Sequence, residues 1–316
     1  MAYVWVLIAG ICWGLIGLFT KAITRFGLME LEILFIKGVV SVIFLTIVLL
    51  IRDKKSFRLK KKGDILYFVG TGIVSFTFFS WCYMKAINLT SVGIAAVMLY
   101  TAPTLVMLLS IVLFHEKMTR RKALVLLMTL CGCGMITGLF NGKLMLSPLG
   151  LLAGLGSGIG YALYSIFGTF ALRRGYQSLT ISFYTFLMAS VFMGFCVNPI
   201  HVVQEITAAG QWPLSILFAV MTTVIPYLCY TKGLSCLPAS KASVTATIEP
   251  VVAAVLGILV FKEGITVAKM GGILLVVGAV VLMNMGKTSE VVEILEKRAS
   301  PKEENNKQDD EESALS

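Results

Sequence analysis

Charge is scarce in this chain: only 14% of its 316 residues are Asp, Glu, Lys or Arg, whereas 57% are hydrophobic and the mean hydropathy is +0.88. A water-soluble globule would have too little polar surface to cover itself, so the apolar excess must face lipid. Histidine is limited to His115 and His201, far apart in sequence, which argues against a His-based catalytic or metal site. No Gly-rich loop followed by Lys and Ser or Thr is present, so nothing points to a P-loop nucleotide site. The seven cysteines, Cys12, Cys82, Cys131, Cys133, Cys196, Cys229 and Cys236, fall inside or beside apolar runs rather than in long loops. They read as small packing residues, not as a disulfide framework. Alternation of apolar and polar residues, the mark of a membrane β-barrel, is also missing.

What the chain has is long uncharged runs. Residues 65–84, 92–114, 123–140, 149–172, 179–200 and 212–231 contain no ionised side chain. Each suits a helix crossing about 30 Å of hydrocarbon. With 3–22, 30–51, 240–261 and 267–286 added, the pattern predicts ten transmembrane helices. The first reads as a retained helix rather than a cleaved leader, because no basic stretch precedes it.

The formal charge of +10 suggests a nucleic-acid partner only until its placement is considered. Arg52, Lys54, Lys55, Arg58, Lys60, Lys61 and Lys62 crowd one loop, and with a cytoplasmic N-terminus twenty basic residues fall inside against six outside. That bias orients the chain with both termini in the cytoplasm. The residues from Lys287 onward are rich in both charges and read as a solvated, disordered cytosolic tail.

Comparison of the chain with itself reveals a repeat. At an offset of 147, Tyr83, Lys85, Pro103, Phe114, Glu116 and Thr119 meet Tyr230, Lys232, Pro250, Phe261, Glu263 and Thr266; at 148, Gly10, Phe19, Arg25 and Gly27 meet Gly158, Phe167, Arg173 and Gly175. Such rare residues do not coincide by apolar composition alone. Residues 1–142 and 143–286 are therefore read as two five-helix units, with 287–316 as the tail. Five is odd, so the second unit is expected to lie inverted relative to the first, a device of alternating-access carriers that some channels share.

Ten spans as five plus five, the aromatic-glycine pair Trp13-Gly14, Lys37 in the second span, Pro103 and Pro250 in the fourth and ninth, and Glu116 and Glu263 closing them resemble the EamA branch of the drug/metabolite transporter superfamily. The resemblance covers residues 3–286. It implies a secondary transporter in the inner membrane, not an enzyme, that exports an amino acid or similar amphiphilic metabolite, with no cofactor. The second span has Lys37 where an Arg is common, and Tyr161-Ala162 replaces the aromatic-glycine pair in the second unit. A channel or facilitator for small solutes is the alternative.

Several residues stand out within the spans. An ionisable group in lipid is costly, by about 2.5–3.5 kcal/mol on insertion scales. Lys37 either pairs internally, for example with Glu30, or snorkels to an interface, or faces a central cavity where it neutralises Glu249 or a substrate carboxylate. Glu249 precedes Pro250 in mid-span. Low dielectric penalises the charged form of a carboxyl, so Glu249 is the candidate to couple transport to protons, the alternative being a structural hydrogen bond. Pro103 and Pro250 are kinks and candidate hinges. Glu116 and Glu263 are read as loop ion pairs to Lys117, Arg120 or Lys262, or as gate latches. Trp13, Tyr83, Tyr100, Tyr161, Tyr164, Tyr227 and Tyr230 are candidate substrate contacts, offering apolar faces with a polar handle, although any one could serve packing alone. Glycines 154, 156, 158 and 160 read as a close helix contact.

Overall fold

In a bilayer every backbone N–H and C=O must find a partner inside its own segment, so uncharged runs of this length form helices. The computed structural model describes residues 2–23, 28–52, 54–139, 147–260, 262 and 264–285, and all regular structure among them is helical. Glu263 and the charged tail from residue 287 lie outside the described residues, as does the Glu30 side chain.

The main helices are α1 (Ala2–Thr20), α2 (Leu31–Arg52), α3 (Lys62–Leu89) and α4 (Val92–Phe114). They are followed by α5 (Arg120–Ile136), α6 (Pro148–Arg173), α7 (Ser178–Gly194) and the short α8 (Pro199–Ala208). The chain then forms α9 (Trp212–Leu234), α10 (Ala239–Leu259) and α11 (Val267–Asn284). Eight of these are long and apolar enough to span a membrane, or nine if α7 and α8 count as one span bent by 100°. The α5 and α7 helices have 17 residues each. Large apolar side chains such as Val112, Leu127, Leu152 and Leu274 point outward, as lipid-facing residues do.

Residues 179–200 do not form one straight span. The α7 helix stops at Gly194 and the chain turns into α8, because Asn198 caps the new helix, its Oδ1 accepting from His201 N at 3.2 Å, and Pro199 opens it.

Irregularities recur at matched positions. A π-helical stretch, Gly70–Thr77, interrupts α3, and another, Val220–Val224, interrupts α9. The α4 helix breaks at Tyr100 (φ −73°, ψ 4°) and α10 at Thr247 (φ −69°, ψ 5°). Each break precedes a proline, Pro103 or Pro250, whose missing N–H leaves a carbonyl one turn earlier without its helical donor. Left-handed residues follow the two helices, His115 (φ 55°) and Lys262 (φ 53°). Thr119 and Thr266 then cap α5 and α11, accepting from Lys122 N at 3.2 Å and Lys269 N at 3.1 Å.

Packing directions follow from named contacts. Arg121, at the start of α5, donates to Leu282 O at the end of α11, and Gly132 abuts Gly272, so these helices run antiparallel. In α2 and α7, Gly38 faces Ser190 and Phe35 faces Gly194, again antiparallel. Ser240, in the first turn of α10, donates to Glu116 just beyond the end of α4, so α4 and α10 also oppose. The α1 helix lies against α9 and α10, and α6 lies against α3 and α4. At both crossings a glycine admits the broken helix: a Cβ on Gly10 would stand 2.8 Å from Ala246 O, and one on Gly158 would stand 3.0 Å from Met98 O. Side-chain packing this close is what drives helix association where no hydrophobic effect operates.

Candidate functional site

The breaks in α4 and α10 face each other across a cavity lined by Leu99, Tyr100, Ala102, Pro103, Tyr161, Ser243, Ala246, Thr247 and Glu249. Its free volume is about 10 Å³, room for one water. The cavity is narrow in this structure, with a half-buried acid in its wall. Glu249 begins the second segment of α10, Ile248–Leu259, where the free N–H groups of a helix start favour a carboxylate. Among the described residues, no basic side chain lies within ion-pair distance of it.

Around this acid the aromatic residues expected from the sequence form a connected wall. Trp13 meets Tyr161 and Tyr227 edge-on, at centroid distances of 5.9 and 5.4 Å, and Tyr230 at 5.4 Å. Tyr164 stands 4.9 Å from Tyr227. Phe79, which no sequence signal singled out, joins Tyr83 at 6.0 Å to Tyr161 at 5.9 Å, while Tyr100 lines the cavity directly.

Their hydroxyls divide these tyrosines into two sets. Tyr164 Oη lies 2.8 Å from Thr231 Oγ1 and Tyr230 Oη lies 2.7 Å from Ser165 Oγ, both fully buried, so these two tie α6 to α9. The hydroxyls of Tyr83, Tyr100, Tyr161 and Tyr227 have no hydrogen-bond partner among the described residues, and all four lie within electrostatic reach of Glu249. Such an arrangement can hold a cationic group against a carboxylate and aromatic faces, with phenolic donors for its polar atoms.

The structure does not bring Lys37 to Glu249. Lys37 lines a different hollow with Ile33, Ile36, Ile206, Ser215 and Phe218, its Nζ 4.5 Å from the Phe218 ring centroid. Glu32, on the same helix, is engaged elsewhere: its Oε2 accepts from Met29 N at 2.8 Å and its Oε1 lies 3.5 Å from His201 Nδ1 of α8.

Below the cavity, at the end carrying the basic loop, α4 and α10 are joined. Glu116 pairs with Lys122 at 3.1 Å and accepts from Ser240, instead of reaching Lys117, Arg120 or Lys262 as expected. Thr119 caps α5 so that Lys122 is turned inward, and the pair is largely buried. The basic loop is itself pinned, with Lys60 Nζ donating to Arg174 O at 3.0 Å and Gly175 O at 2.9 Å.

The family model of the EamA-like transporter family matches the chain twice, over residues 1–138 and 148–285. An uncharacterized transporter of Archaeoglobus fulgidus is 28% identical over 66% of this chain and 74% of its own length. The uncharacterized transporter YxxF of Bacillus subtilis is 27% identical, covering 81% of this chain and 80% of the relative. The threonine/homoserine exporter RhtA of Escherichia coli K12 is 26% identical, covering 72% of this chain and 71% of the exporter. A solved structure at 17% identity superposes with a TM-score of 0.75 over 90% of this chain and 96% of its own, a likeness of fold.

Proposed function

This chain belongs to the EamA-like transporter family, and from that premise we propose that it is a secondary carrier exporting an amino acid or similar amphiphilic metabolite from the cytoplasm by alternating access. It is a multi-pass membrane protein of a family of transporters, not enzymes, and its substrate is a small molecule. In this reading ten helices, α1–α7 and α9–α11, cross the inner membrane as two inverted sets of five, with both termini cytoplasmic. The antiparallel course of α2 against α7, α4 against α10 and α5 against α11, and the matched breaks 147 residues apart, support the inversion. The excess of basic residues at the Lys60 end supports the orientation.

The observation that carries the function is Glu249, with no basic partner among the described residues, lining a cavity with Tyr100 and Tyr161 where both broken helices meet. A substrate ammonium and a proton would compete for that carboxyl, so release of one would follow binding of the other. Pro103 and Pro250 would let α4 and α10 bend as the cavity opens first to one side and then to the other. The RhtA likeness favours an amino acid among the substrate classes.

The test is counterflow. Proteoliposomes loaded in turn with unlabelled threonine, homoserine, leucine or phenylalanine should take up the labelled form against its gradient, with saturation. Absence of counterflow with all four refutes amino-acid carriage, and unsaturable flux without counterflow indicates a pore.

A further inference from the structure

Lys37 presents a problem that the Glu249 cavity does not solve. It is only 6% exposed, on the half of α2 nearer α8, and among the described residues no carboxylate lies within ion-pair distance of it. Glu32 is taken up by Met29 and His201, and Glu249 lines the other cavity. What surrounds the ammonium is apolar: Ile33, Ile36 and Ile206, with the Phe218 ring on one side. One ring face offsets only part of the cost of taking an ammonium out of water. A second donor shares the hollow: Ser215 is 2% exposed and its hydroxyl has no hydrogen-bond partner among the described residues. Two donors thus line an otherwise apolar hollow in which, among the described residues, no carboxylate side chain is present.

We propose that Lys37 and Ser215 form a binding site for the carboxylate of a small organic acid with an apolar substituent, separate from the Glu249 cavity and nearer the α8 end of the molecule. The chemistry selects this class. One positive charge and one hydroxyl donor match one carboxylate, while isoleucines complement a short branched hydrocarbon. A phosphate ester or a dicarboxylate would bring a second charge into a hollow with no partner for it. The hollow is closed around Lys37 in this conformation, so Phe218 must give way for a ligand to enter. Phe218 stands two residues before the π-helical stretch Val220–Val224, an irregularity frequent at functional sites. This inference deepens the carrier reading and rests on it only in treating the bound acid, or the acid end of an amino acid, as cargo.

The experiment uses the full chain in lipid nanodiscs with two probes, 4-methylpentanoate, which has only the carboxylate, and 3-methylbutylamine, which has only the ammonium. Calorimetry should show 4-methylpentanoate binding the parent protein, and Lys37→Met weakening it about thirtyfold, as expected for loss of a buried charge partner. Lys37→Arg should restore most of the affinity, and Ser215→Ala should weaken it less than Lys37→Met. The amine probe should depend on Glu249 and not on Lys37, which also establishes that Lys37→Met is folded. If 4-methylpentanoate fails to bind, or binds Lys37→Met as tightly as the parent, the inference is overturned. In that case amino-acid counterflow still stands or falls by itself, and conversely Lys37-dependent binding without counterflow of the four amino acids would refute amino-acid carriage alone.

Discussion

Replacing Glu249 by Gln keeps the size of the side chain and removes its ability to exchange a proton. Glu249 is the one acid lining the cavity, so each transport cycle should exchange one proton for one substrate. A pH difference of one unit is about 1.4 kcal/mol, or tenfold in concentration. In vesicles with an imposed pH gradient, the logarithm of the substrate accumulation ratio should therefore rise with ΔpH with a slope near one for the parent protein. For Glu249→Gln the slope should fall to zero, while counterflow, which needs no net proton movement, should persist once the substrate concentration is raised to offset the lost carboxylate contact. An unchanged slope in the variant would show that the proton travels by another group and that Glu249 is structural.

Other substitutions probe the packing and the division of the tyrosines. At Gly272 a Cβ would lie 2.6 Å from Gly132 O and 2.9 Å from Ile136 N, both backbone atoms; Gly272→Leu should cost about 1–3 kcal/mol, read as a lowered unfolding midpoint. Lys122→Met leaves the Glu116 carboxylate without its cation and should cost about 3 kcal/mol, partly recovered by adding Glu116→Gln. Tyr161→Phe should alter substrate affinity with little change in stability, because its hydroxyl has no hydrogen-bond partner among the described residues. Tyr230→Phe, which leaves Ser165 Oγ unpartnered, should cost about 1 kcal/mol of stability with affinity unchanged; the reverse pattern would mean the two sets of tyrosines are misassigned.

Much of the architecture was legible because lipid imposes a simple rule. Uncharged runs of sufficient length had to be helices, and rare residues such as Pro103, Pro250, Thr119 and Thr266 kept register across the repeat. The aromatic residues could be found because seven of them within spans exceed what interfaces need. The EamA resemblance rested on these same residues, and the family match bears it out. Less was legible where partners are distant in sequence. Nothing near Glu116 announces that Ser240 will donate to it, and the choice of Lys122 over Lys117 depends on the cap at Thr119. The π-helical stretches leave no compositional mark. The α8 helix did leave one, Asn198-Pro199, obscured by the uncharged run that continues through it. The separation of Lys37 from Glu249 was invisible because helix periodicity gives the face of a residue and not the neighbour that face will meet.

The most direct test of the account is solvent access to the cavity from each side. A single cysteine at Thr247, which lines the cavity beside Glu249, in a chain whose seven native cysteines are replaced, can be challenged with a membrane-impermeant maleimide from one face and then the other. Alternating access predicts that either face alone labels the whole population, with an outward substrate gradient speeding one rate and slowing the other. Labelling from only one face, under every gradient, would contradict it.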